Sequence, residues 1–104
     1  MFVINNVEWK IEFTNPLNGV LRQEDGTYTI GMCDNIKKII YLADNLNGRM
    51  LKKVLCHEIV HAAMFSYNVV LSYEQEELLA DLFATYGDEI IEITNKVFEK
   101  LQHF

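Results

Sequence analysis

Asn47 to Ser66 reads NGRMLKKVLCHEIVHAAMFS, and within it the alternating pattern of the preceding chain gives way to a helical one. The spacing predicts a helix from about Gly48 to Ser66. Asn47 stands at its cap position, and Asn68, a residue that tolerates the left-handed conformation, marks its stop. The helix is apolar on most of its circumference through Val54, Leu55, Ile59, Val60, Ala62, Ala63 and Phe65, so it belongs inside.

On the N-terminal side, Val7, Trp9, Ile11 and Phe13 alternate with Glu8, Lys10 and Glu12, the period of a half-buried strand that ends at Asn15-Pro16. Thr27–Cys33 and Lys38–Ala43 read as two further strands, joined across Asp34-Asn35 as a hairpin. On the C-terminal side, Ser72-Tyr73-Glu74-Gln75 fits a capping box for a second helix, which Gly87 is expected to stop. A third helix, from Asp88 to about Gln102, places Ile90, Ile91, Thr94, Val97, Phe98 and Leu101 on one stripe and is expected to pack as a lid on the core. The expected class is α+β in a single domain spanning 1–104: a small three-stranded antiparallel or mixed sheet (strands within about 2–44) against helices within about 48–103.

The chain has 104 residues, half of them hydrophobic, which suits one core and leaves no room for a second. Its formal charge of −6 would repel phosphate backbones and anionic headgroups, so nucleic acid and membrane are not expected partners. No apolar run has the length of a membrane span, and the start MFVINN carries no basic, apolar leader pattern. The expected location is the cytoplasm. Cys33 and Cys56 are far apart and form no CxxC pair; they are expected as reduced, mostly buried thiols.

The chemistry lies in His57-Glu58-Ile59-Val60-His61. Residues four apart on a helix share a face, so both imidazoles can converge on one metal ion while Glu58 sits beside the remaining coordination position. Burying two histidines and a glutamate without partners is costly, and a metal compensates two of them and gives the third a role.

A catalytic zinc takes three protein ligands and leaves one position open, so the third must come from elsewhere. His103, next to the C-terminus, is a poor anchor. In the second helix Glu77, Ala80, Asp81 and Ala84 share a face. The alanines permit close approach, Glu77 can coordinate the metal, and Asp81 can accept the second ring N–H of His57. Glu74 and Glu76 are neighbouring competitors for the ligand role.

HEIVH followed by ELLAD resembles the gluzincin pattern HExxH…ExxxD of thermolysin-type zinc metallopeptidases, and Ala80-Asp81-Leu82-Phe83-Ala84 is similar to the ImmA/IrrE-like branch. The resemblance covers residues 37–86. It implies a zincin-like fold, zinc (Zn2+) held by His57, His61 and Glu77, and Glu58 as general base hydrolysing peptide bonds through a metal-activated water. Known members of the branch cleave repressors of mobile elements or stress regulons, so the implied substrate is a regulatory protein of a phage or mobile element. The branch usually has Gly where Val60 stands, and it often carries a regulatory domain; in size the chain is closer to the minigluzincins.

Three further expectations concern the surroundings of the metal. The Lys38–Ala43 strand could pair with an extended substrate along a free edge. Tyr41, Tyr67, Tyr73 and Tyr86 are candidate oxyanion donors, none of them assigned, and Met50, Val54 and Met64 are candidate pocket residues. A latent form would have His103 occupying the open zinc position. The alternative to an enzyme is a zinc-stabilised protein-interaction module, against which the presence of Glu58 argues, since a structural zinc needs no base.

Overall fold

The computed structural model describes residues 1–102 and is an α+β arrangement of a four-stranded mixed sheet and two helices. The strands are β1 (Phe2–Ile4), β2 (Val7–Thr14), β3 (Gly31–Asp34) and β4 (Ile39–Ala43), and the helices are α1 (Gly48–Ser66) and α2 (Tyr73–Leu101). The sheet order is β1-β2-β4-β3, with β2 and β4 parallel and the other pairs antiparallel.

The fourth strand corrects the three-strand expectation. Asn5 and Asn6 both adopt positive φ (48° and 64°), which makes Ile4 and Val7 the ends of a two-residue hairpin whose register pairs Phe2 with Trp9. Paired positive φ in a two-residue loop matches the strand twist, and Asn is among the residues that tolerate it. The expected β3–β4 hairpin forms, but only Gly31–Asp34 of the stretch from Thr27 is paired as strand.

Both faces of β4 are covered. Ile40 and Leu42 join Trp9, Val54 and Ala62 beneath α1, while Tyr41 and Ala43 pack with Leu21 on the other face. The near-continuous apolar run of this strand follows from that double burial. It also removes the free edge expected for Lys38–Ala43: β4 lies between β2 and β3, and β3 is the edge strand.

Helix α1 has the predicted limits. Asn47 stands at its cap without a capping side-chain bond, and Asn68 has a φ of 55° just beyond its end. Its last residue ties it to the sheet, where the buried indole N–H of Trp9 donates to Ser66 Oγ at 2.8 Å. Ser66→Ala leaves that donor unpaired and should cost about 1–3 kcal/mol of stability in denaturant unfolding.

Helix α2 starts at the predicted capping box, with Ser72 and Gln75 each bonding the other's backbone N–H. Gly87 does not stop it. The helix runs through Gly87 to Leu101, so the second and third expected helices are one. A glycine costs a helix only about 1 kcal/mol, and it ends one only where it takes positive φ, which Gly87 does not. The lid is corrected too: Ile90, Ile91, Val97, Phe98 and Leu101 remain 49–61% exposed, because α2, about 43 Å long, turns this stripe away from α1 and carries its last turns past the end of α1. No helix among the described residues is long and apolar enough to cross a membrane. His103, the proposed occupant of the open position in a latent form, lies outside the described residues.

Candidate metal centre

Helices α1 and α2 run antiparallel, with Lys52 paired to Asp88, His57 to Asp81 and His61 to Glu76. Ala80 is fully buried, which lets α2 approach α1 closely. Two histidines one turn apart on α1 thereby face an acidic turn of α2.

The Nε2 atoms of His57 and His61 are 3.1 Å apart. Glu77 meets both, with Oε1 2.8 Å from His61 Nε2 and Oε2 3.4 Å from His57 Nε2. These three residues form a group whose ligand atoms all lie within 4.8 Å of one another. On the far side of each ring, Nδ1 of His57 is 3.0 Å from Asp81 Oδ1, and Nδ1 of His61 is 2.6 Å from Glu76 Oε1.

This donor set fits a divalent ion. The carboxylate beside each Nδ1 can accept that nitrogen's N–H, and the tautomer with the proton there leaves both Nε2 lone pairs facing each other and the Glu77 oxygens, free to ligate. Four electron-rich atoms then converge on one point, and a cation there removes their repulsion. Two nitrogens on a tetrahedral zinc would be about 3.3 Å apart, close to the spacing found. A carboxylate behind each histidine also fixes tautomer and ring orientation, as metal-ligating histidines require.

Glu58 is the one buried acid, 7% exposed, and it has no hydrogen-bond or ion-pair partner among the described residues. Burial holds its carboxyl above the ordinary glutamate range; the neighbouring His57 and His61 pull it down and Glu77 pushes it further up. Strand β3 crosses directly over it. A Cβ on Gly31 would sit 2.7 Å from Val54 Cγ1 and 3.1 Å from Glu58 Oε2. Val54, which takes the tightest contact, is β-branched and stiff, so Gly31→Ala should push β3 away from α1 at this point, and a crystal structure of the variant should show residue 31 moved off Val54 and Glu58 while both histidines keep their places.

A cleft of about 300 Å³ opens over His57, Glu58, His61 and Glu77, walled by Arg22, Thr29, Gly31 and Cys33 on one side and Tyr73 on the other. A second lobe of about 320 Å³ continues past Asp81 between Met50, Val54 and Ile30. Burial, with Glu58 as the nearest acid, pushes the Cys33 thiol up to about 12, so it stays protonated; both cysteines are free thiols.

The structure brings together His57, Glu58, His61, Glu77 and Asp81, the residues singled out in the sequence. Of the tyrosines only Tyr73 lines the cleft at the histidines, while Tyr41 is buried in the core. Met50 and Val54 line the second lobe, whereas the buried Met64 borders a separate apolar groove with Tyr67. Glu76 appeared in the sequence only as a competing ligand, and its contact with His61 Nδ1 gives it a supporting place instead. Its position next to Glu77, across from the second histidine of the motif, was the available signal. Compared with models of protein families, with curated proteins and with solved structures, the chain matches none.

Proposed function

We propose that the chain is a zinc-dependent endopeptidase of gluzincin type, with a zincin-like fold and a site built from His57, His61 and Glu77 as ligands and Glu58 as general base. The observation that carries this reading is the Glu58 carboxylate, which makes no hydrogen bond or ion pair among the described residues and opens on the cleft from a residue only 7% exposed, beside two histidine Nε2 atoms that face Glu77. A structural metal site needs no such group.

Zinc held by these side chains would polarise a peptide carbonyl and make water a nucleophile near neutral pH. Glu58 takes the proton from the attacking water and delivers it to the leaving amine, a task suited to a carboxyl held above its ordinary range. Asp81 and Glu76 hold the two rings in place. The outer edge of β3 pairs with no strand and runs beside the cleft, so an extended segment can add to it by backbone hydrogen bonds, the role expected of the strand before α1. In keeping with the resemblance, the proposed substrate is an intracellular regulatory protein of a phage or mobile element.

The test is incubation of zinc-loaded protein with a diverse peptide library, with products read by mass spectrometry. Internal cleavage that chelator abolishes and zinc restores is the expected result. Zinc binding with no cleavage of any peptide would contradict the proposal and favour a zinc-stabilised interaction module.

A further inference from the structure

The distal half of α2 presents an apolar face that nothing in the described chain covers. Phe83, Ile90, Ile91, Val97, Phe98 and Leu101 are 47–61% exposed. Phe83, Gly87, Ile90, Thr94, Val97 and Leu101 follow one another at alternating spacings of four and three, the seam of a helix made to pair with another helix. The contacts of Lys52 with Asp88 and of His57 with Asp81 fix how far α1 reaches, so the last ten or so residues of α2, about 15 Å, extend beyond it.

We propose that this face pairs with the same face of a second copy, the two α2 helices running antiparallel. Three observations select this occupant. The first is area: half-exposed side chains of this size leave on the order of 80–100 Å² each, so the face with its borders Tyr86 and Ile93 offers roughly 700 Å². That exceeds the largest apolar patch of an ordinary monomer, and two copies together would bury about 1,400 Å², the size of a standard interface.

The second is charge. Each half of α2 carries four acids, but Lys96 and Lys100, its only basic residues, both lie in its last turns, Lys96 beside Glu92 of its own helix. Antiparallel pairing sets the two lysine pairs at opposite ends of the seam, each beside the half of the other helix that has acids and no basic residue, whereas parallel pairing sets the four lysines side by side. The third is continuity. The apolar row from Leu79 to Leu101 is centred on Ile90, and Gly87 and Thr94 keep the seam narrow on either side of that centre. Matching the row against itself puts Ile90 at the two-fold axis, with Phe83 across from Val97 of the other copy.

The test is the mass of the untagged chain by sedimentation velocity between about 1 and 100 µM, with thiol cross-linking of single-cysteine additions. The expected result is a species of twice the 12.1 kDa chain mass. Ile90→Glu with Val97→Glu should weaken it at least 100-fold while helix content by circular dichroism is unchanged. Lys96→Glu with Lys100→Glu, at exposed sites that leave the apolar face intact, should weaken it about 10-fold. Ile90→Cys should cross-link to itself well above the wild-type thiol background, and Leu101→Cys should not. A wild-type monomer at 100 µM, dimers indifferent to both double variants, or equal cross-linking at 90 and 101 would overturn the proposal. None of these readouts depends on metal or activity.

Discussion

Glu58→Gln is expected to lower kcat/KM for peptide cleavage by about 10²- to 10⁴-fold, the usual contribution of a positioned general base, while leaving zinc affinity nearly unchanged. Glutamine keeps the shape that fits under Gly31 but cannot accept and return a proton. The substitution also has a second, opposite effect. Burial without a partner raises the Glu58 carboxyl above its ordinary value in the folded state, so the fold takes up a proton more readily than the unfolded chain. The stabilisation from that proton is complete below the unfolded value and is lost as pH rises through the folded one. Metal-free protein should therefore lose stability with rising pH across that window, and Glu58→Gln should flatten the dependence and raise stability at neutral pH. Thermal melts of both proteins in chelator, from pH 4 to 8, check this. An inactive variant with no such gain would show that Glu58 is not ionised at a cost in the resting site.

Glu77→Ala has the largest expected effect on the metal. It removes the only carboxylate among the described residues that contacts both Nε2 atoms, so zinc affinity in a competition titration should fall at least 100-fold. Supporting residues act more weakly: Asp81→Ala and Glu76→Ala should each cost about 10- to 100-fold. A metal held at this site would be linked to folding. At a hundred times its dissociation constant a ligand stabilises by about 2.7 kcal/mol, and for a chain of this size each kcal/mol is worth about 4–8 °C. Chelation of the wild type should lower Tm by roughly 10–20 °C, and should leave Glu77→Ala little changed. Equal chelator sensitivity in the two proteins would place the metal elsewhere.

How much of this was legible in the sequence follows from which physics is local. The limits of α1 could be read because its period, its cap position and the left-handed Asn68 are all properties of neighbouring residues. The same holds for the capping box of α2 and for the shared face of Glu77 and Asp81, one turn apart and flanking the buried Ala80, which the structure sets across from the histidines. Gly87 misled because a glycine ends a helix only when the chain beyond it leaves the axis, and nothing in Asp88-Glu89-Ile90 makes it leave. The lid failed for the same reason, since a stripe states that a face is apolar and not what covers it. Strand order was beyond reach: that β2 pairs in parallel with β4, leaving β3 as the edge beside the cleft, depends on contacts between residues some thirty apart. The partner of His61 could be recovered only once the antiparallel register of the two helices set Glu76 across from it.

The account rests on one ion in one place, and anomalous diffraction at the zinc edge from zinc-soaked crystals tests it most directly. The prediction is a single peak about 2.0–2.2 Å from His57 Nε2, His61 Nε2 and a Glu77 oxygen, with Glu58 beside it but not bound. A site without zinc at saturating metal, or zinc bound through Nδ1 or by Glu58, would contradict it.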